Sequence, residues 1–334
     1  MKKIILSFGL VIFCALILVG CAKDKAITQA FPKKVQELDS YVLRGRLESF
    51  YPTGRKESEV TVKYKKPDLY RVEIKMLGLD ESQLIIKNND GVYVLIPRIN
   101  KTFKIDGNWP LNSSTSYLLQ SLAKDIINDE NIRITEEKDA IYVEVKAHMF
   151  NDANPTKQKI VFDKKTKLPS EVLVYDENEN LMQRLTINTI ELNPSLSNDV
   201  FKVKVANDEV REEYGNESPT YSDRTFVYPT YFPPGTAREQ EVISGEGENL
   251  MAIIKFRGED VSYNIIETYV NDQEVLTTTY VTGEILSVTS NVAIYTNNQL
   301  IFYENGIEFT IASNNLALDE IHKMAVSMIA ANEK

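Results

Sequence analysis

Between residues 41 and 190 the chain repeats one pattern, in which apolar and polar side chains alternate with a period of two. Leu43 and Leu47 oppose Arg44, Arg46 and Glu48; Val60, Val62 and Tyr64 oppose Glu59, Thr61 and Lys63; Tyr70, Val72, Ile74 and Met76 oppose Arg71, Glu73 and Lys75. Successive side chains on a strand point to opposite faces, so this pattern builds antiparallel strands with one apolar face. Turn residues stand between the runs: Lys66-Pro67-Asp68, then Asn88-Asn89-Asp90-Gly91, whose Asp-Gly pair suits a tight hairpin. Further strands follow at Ile141, Val143 and Val145, at 159–163, at 171–175 and at 181–190. Nine or ten strands are predicted. A helix carrying Val35, Leu38 and Val42 enters the set. A second, over 116–127, interrupts it, because Tyr117, Leu118, Ser121, Leu122, Asp125 and Ile126 recur at helical spacing, with Ser113 or Ser114 as N-cap.

A polar, acidic, Pro-containing stretch between Ala206 and Ser222 reads as a linker. Beyond it, short strands are predicted near 251–256, 262–266, 274–280, 285–288, 292–295, 300–303 and 307–311. Leu318, Ile321, Ala325, Met328 and Ile329 then form the stripe of a closing helix, with Asn315 as N-cap. The expected division is 1–20 signal peptide, 21–30 tether, 31–205 first domain, 206–224 acidic linker and 225–334 a smaller α+β domain.

The amino terminus bears an export signal. Lys2-Lys3 precede an apolar run from Ile4 to Val19, shorter than the ~20 residues a membrane span needs. The ending Leu18-Val19-Gly20-Cys21 resembles the bacterial lipoprotein box, which implies a diacylglyceryl group on the Cys21 sulfur and a mature chain starting there. Cys14 would leave with the signal, so no intramolecular disulfide is expected. Lys23 and Lys25 flank Asp24 and add little electrostatic adhesion, which leaves two acyl chains to hold the anchor. The expected location is the extracytoplasmic face of the cell membrane.

Composition argues against several functions. A formal net charge of −10 makes a poor nucleic-acid binder. His148 and His322 are the only histidines, too few for a usual metal-ligand spacing or a cysteine–histidine pair. Ser244-Gly245-Glu246-Gly247-Glu248 reads as an acidic turn, since two glutamates would repel phosphate. No catalytic residue, metal or other cofactor is expected. The chain reads as a binding protein, with a hydrolase as the weaker alternative.

Several segments together resemble the LolA/LolB superfamily of lipoprotein carriers: Lys66-Pro67-Asp68-Leu69-Tyr70-Arg71-Val72, Asp90-Gly91-Val92-Tyr93-Val94-Leu95-Ile96-Pro97, the turn from Asp163 to Leu168-Pro169, and a closing strand at Leu196 to Phe201. The second half, with Tyr228-Pro229-Thr230-Tyr231-Phe232-Pro233-Pro234-Gly235, resembles the small domain of sporulation- and germination-associated lipoproteins of endospore formers. The resemblance implies a mainly β (α+β) fold, an open antiparallel β half-barrel with covering helices plus a smaller α+β domain. It also implies that Leu43, Leu47, Val62, Tyr70, Val72, Ile74, Met76, Leu118, Leu122 and Val143 line a hydrophobic cavity. An acyl chain, a lipoprotein or a partner protein is the expected occupant, in envelope or sporulation processes, and the alternative is a regulatory lipoprotein that contacts a membrane partner.

Overall fold

The computed structural model describes residues 27–331 apart from 53, 80, 108, 111–114, 148–155 and 216–223. Cys21 and the signal segment, Ser113, Ser114 and His148 lie outside the described residues. Helix α1 (27–37) leads into β1 (Ser40–Tyr51), β2 (Gly54–Lys65), β3 (Leu69–Met76), β4 (Glu81–Asn88), β5 (Gly91–Ile96) and β6 (Lys101–Asp106). Helix α2 (Leu119–Asn128) precedes β7 (Arg133–Glu136), β8 (Ala140–Ala147), β9 (Thr156–Asp163), β10 (Pro169–Tyr175) and β11 (Leu181–Leu192). After α3 (Val203–Glu213) come β12 (Ala237–Ser244), β13 (Met251–Arg257), β14 (Ser262–Tyr269), β15 (Thr277–Thr282), β16 (Glu284–Val288), β17 (Asn291–Thr296), β18 (Gln299–Glu304) and β19 (Ile307–Ala312), then α4 (Leu318–Ala331).

The first sheet runs β15-β6-β5-β4-β3-β2-β1-β11-β10-β9-β8-β7 and is open, with β15 and β7 at its edges. It is the half-barrel implied by the LolA/LolB resemblance, covered by α1 and α2. Register explains the apolar face. Leu43 stands opposite Val62, Val62 opposite Val72, Val72 opposite Ile85, Ile85 opposite Val94 and Val94 opposite Phe103. These six side chains cross six strands as one buried row. Alternation sets the row and hairpin turns hold its register. At the Asn88–Gly91 turn, Gly91 takes φ 137° and the Asn88 Oδ1 accepts from the Asp90 N–H at 2.9 Å. At Gly45 a Cβ would lie 2.7 Å from the Thr186 carbonyl oxygen, where the β1–β11 pairing shifts by one residue.

Several expectations are corrected. Residues 27–30, placed in the tether, are helical, and Ile27 is buried in the core. Val42 belongs to β1, not to the helix. The linker reading fails from Ala206 to Glu213: α3 occupies that stretch and seats Ala206 and Val210 on Leu84, Ile86 and Leu95, the other face of the first sheet. Its acidic residues misled because they are ion-paired across that sheet, Glu209 with Arg71 and Glu213 with Lys75. The expected closing strand at 196–201 is absent: β11 stops at Leu192, and Asn198–Phe201 form a 3-10 turn. Two strands, β7 and β12, went unread because they are short or largely exposed. Asn315 does not cap α4; its side chain accepts from Ser262 N–H and donates to the Asp260 carbonyl.

The second sheet runs β12-β13-β14-β19-β18-β17-β16, all antiparallel, with α4 packed on it through Ile321, Met324, Ala325, Met328 and Ile329. The two halves are not independent. Strand β15, sought in the small domain, pairs parallel with β6 at the edge of the first sheet. Ile285, Val292, Ile294 and Tyr303 join the first core. A polar seam completes the junction. Gln83 on β4 donates to Asn291 Oδ1 (3.3 Å) and the Tyr303 carbonyl (2.9 Å), and accepts from the Val292 N–H (2.6 Å). Lys56 on β2 meets the buried Glu304 at 2.5 Å.

Candidate functional site

The apolar face of the first sheet is covered by two helices and, toward β6, by the second half, and each helix is placed by its own stripe. On α1 the buried positions Ile27, Phe31, Val35 and Leu38 recur at helical spacing, and the Phe31 ring meets Phe162 of β9 edge-on with centroids 5.0 Å apart. On α2 they are Leu119, Leu122, Ala123 and Ile126, with Leu118 just before the helix. No side chain caps α2; instead the Ser121 Oγ accepts from the Thr115 N–H at 2.7 Å, folding the preceding loop onto the first turn. Asp125 turns inward as well, accepting from Gln158 of β9 at 3.2 Å.

An aromatic ladder lines one end of the roofed space. Tyr41 stacks on Tyr64 (5.3 Å), Tyr64 packs against Tyr70 (5.0 Å) and Tyr70 meets Trp109 edge-on (5.7 Å). The Tyr41 hydroxyl donates to Gln120 Oε1 at 2.9 Å and so ties α2 to β1. Burial pushes the hydroxyls of Tyr41 and Tyr70 well above their ordinary pKa, which keeps them neutral donors. Tyr117 is likewise raised by burial.

All the expected cavity residues are buried, and all but Met76 meet in a single core cluster. Met76 stands at the end of β3, opposite Ser58 and Glu81. Leu118 and Leu122 are 0% exposed, so the roof is seated. Beside Ile74 and Ile85, a cleft of about 30 Å³ opens between Trp109, Tyr117, Gln183 and Val292, room for about two waters. In this conformation the face is filled by the protein's own side chains. Reading the sequence alone missed Trp109 and Gln120 and read Tyr117 only as part of a helical stripe; Trp109 and Tyr117 line the cleft, and Gln120 bonds Tyr41 of the ladder. Residues 109–115 carry neither a period of two nor a helical stripe that would point to them.

His322 lies in α4, buried, with its Nε2 3.0 Å from the Ser287 carbonyl oxygen, and burial lowers its pKa to about 4. That is a packed helix residue. Among the described residues no cluster of three or more His, Cys, Asp or Glu is placed to hold a metal ion. No helix among them is long and apolar enough to cross a membrane.

Against known proteins, sporulation protein YdcC of Bacillus subtilis (strain 168) is 27% identical over 346 residues, covering 100% of both chains. Among solved structures, the complex of Pseudomonas aeruginosa MucA/MucB contains a chain similar to this one at 12% identity and TM-score 0.35, covering 90% of this chain and 97% of that one. A LolA superfamily protein from Nitrosomonas europaea is similar at 13% identity and TM-score 0.31, covering 53% and 98%. The family described as sporulation protein YdcC-like matches residues 1–201, more than half the length, and the chain belongs to that family.

Proposed function

We propose that this protein is a lipid-anchored extracytoplasmic binding protein of sporulation, tethered through Cys21, whose half-barrel holds a hydrophobic ligand, a lipoprotein or a partner protein under α1 and α2. The observation that carries it is the roof. A continuous apolar face spanning six strands is covered by α1, α2 and side chains of the second half, and the Tyr41–Gln120 and Thr115–Ser121 bonds place α2. Family membership supports the link to sporulation.

The energies make an exchange of roof for ligand feasible. Seating Leu119, Leu122, Ala123 and Ile126 is worth roughly 1.5–3 kcal/mol for each large side chain. An acyl chain of about fifteen methylenes gains about 0.8 kcal/mol for each one buried, which is a larger total. Displacing α2 and replacing it with lipid is therefore downhill if the strands hold their positions. The filled face favours a second reading, a regulatory lipoprotein that acts through protein contacts with the roof closed.

A fluorescent fatty-acyl probe titrated into the soluble chain separates the two. Ligand carriage requires saturable binding that Leu122→Trp alters more than it alters stability, and hydrogen exchange in α2 faster than in β3 and slowed by the probe. Equal protection of α2 and β3 with no binding at tens of micromolar selects the regulatory reading. The anchor is tested separately: Cys21→Ser must release the chain from the membrane fraction and abolish labelling by a fatty-acid analogue.

A further inference from the structure

Strand β15 is a weakly defended edge of the first sheet. From Val275 to Thr282 the sequence is Val-Leu-Thr-Thr-Thr-Tyr-Val-Thr, eight residues without a charge, a proline or a glycine and rich in β-branched side chains. Edge strands ordinarily carry lysine, proline or a bulge, because their unpaired N–H and C=O groups are templates for another strand. Val275 is 70% exposed and Tyr280 is 76% exposed.

The pairing to β6 shows which groups are open. Thr277 N–H donates to the Asn100 carbonyl at 2.9 Å and Gly283 N–H to the Asp106 carbonyl at 3.3 Å. Alternation along a parallel ladder turns the N–H and C=O of residues at that spacing toward β6 and those of Thr278, Tyr280 and Thr282 outward. The Thr282 carbonyl already accepts from Thr296 Oγ1. Thr278 and Tyr280 keep theirs open to the edge. On the face shared with α3, the Tyr280 ring continues a row with Lys104 and Tyr93, the ammonium lying 5.8 and 5.5 Å from the two centroids. The strand is also firmly placed. Arg211 of α3 clasps Asp272 through two bonds of 2.8 and 2.9 Å, and Asn100 donates to the Gln273 carbonyl at 2.9 Å.

Charge selects the occupant. Glu274 precedes the neutral strand, while Glu284 and Asp106 stand beyond its far end; all three are exposed. A second copy would bring the same three carboxylates from a chain of net charge −10. We propose that the outer edge of β15 docks an extended segment of a partner protein, uncharged and β-branched in its middle and basic at its ends, as an added strand. Main-chain bonds to Thr278 and Tyr280 supply the pairing, Tyr280 supplies an apolar contact, and the terminal acids set specificity. This edge lies apart from the roofed face and works whether or not that face takes a ligand.

The probe is a fluorescein-labelled peptide, Lys-Lys-Val-Thr-Val-Thr-Val-Lys-Lys, followed by anisotropy with the soluble chain at low salt. It is expected to bind at least tenfold more tightly than the same core flanked by glutamates. Thr278→Pro removes an outward N–H without taking a donor from the bonds to β6 and is expected to abolish binding, while Glu274→Lys with Glu284→Lys is expected to reverse the flank preference. No binding of the basic peptide, equal binding of both peptides, or binding unaffected by Thr278→Pro overturns the proposal. So does a concentration-dependent dimer of the unmodified chain that Thr278→Pro dissolves, which would assign the edge to a second copy.

Discussion

Glu267 offers the sharpest test of the second sheet's packing. It sits on β14 in line with Tyr263 and Ile265, 0% exposed, with one carboxylate oxygen accepting from the Val227 N–H at 2.8 Å and the other without a partner. Burial raises its pKa to about 8; the Val227 N–H opposes that shift and Glu241 adds to it. Glu241 is itself engaged by Tyr228 and Arg238 from the covering segment and from β12. The folded-state value lies above the unfolded one, so this group's contribution to stability is complete below about pH 4.5 and is lost as pH rises through about 8. At about 1.4 kcal/mol per pH unit, the full span amounts to a few kcal/mol, on the order of 4. Glu267→Gln keeps the acceptor for Val227 and reproduces the neutral carboxyl. Urea denaturation at pH 5 and pH 9 should therefore show the unmodified chain losing a few kcal/mol more than the variant, with the variant the more stable at pH 9. Glu81, whose pKa burial raises to about 7, contributes the same sign in both proteins and cancels in the difference. Parallel pH profiles for the two proteins would refute the reasoning.

Three further perturbations follow from the same packing. His322, depressed to about 4 by burial, stabilises fully above pH 6.5 and progressively less as pH falls through 4, a loss of about 3 kcal/mol that thermal melts at pH 7 and pH 4 should show and that His322→Gln should lessen. Ile74→Asp places a carboxylate in the buried row and should cost several kcal/mol in chemical denaturation; Lys75→Asp, one residue on, should cost about 1 kcal/mol because it sets like charge beside Glu213. Arg211→Ala should leave Asp272 without its bidentate partner and raise hydrogen exchange across 272–282, with little change in β13 and β14.

What the sequence disclosed follows from how local its cause is. The start of the buried row, Leu43, Val62 and Val72, was legible because alternation and hairpin turns act within a few residues. Helix α2 was legible because Leu118, Leu122 and Ile126 share a stripe, although its start shifted to Leu119. Helix α3 was not, since Glu209 and Glu213 read as solvent charge until their partners Arg71 and Lys75 are brought beneath them by a fold spanning 138 residues in sequence. The parallel seat of β15 was equally hidden. Its residues carry β propensity, but propensity names no neighbour, and the choice of β6 is made by Arg211, Asn100 and Asp272 acting at a distance. The cavity residues were identified as apolar, yet alternation cannot separate a face that packs a helix from one that packs a ligand.

The seam between the halves bears on how any signal would cross the molecule. Lys56 and Glu304 are both buried, and Asn291 Nδ2 donates to the second Glu304 oxygen at 2.7 Å, so the carboxylate is satisfied from both sides of the junction. A buried pair of this kind contributes little net stability against an apolar packing, but losing one partner strands a charge and costs several kcal/mol. The junction thus tolerates one arrangement and penalises sliding. Gln83 acts alike, holding three groups of the second half from one strand of the first. Ile74, opposite Gln83 on β3, lines the cleft with Trp109 and Val292, and the Val292 N–H donates to Gln83, so the roofed face and the second sheet share a boundary. Loading the concave face would press on Val292 and, through Gln83, on the hairpin that carries Asn291. The exposed edge of β15 lies on the same continuous sheet as the face proposed to take a ligand, so one sheet carries both.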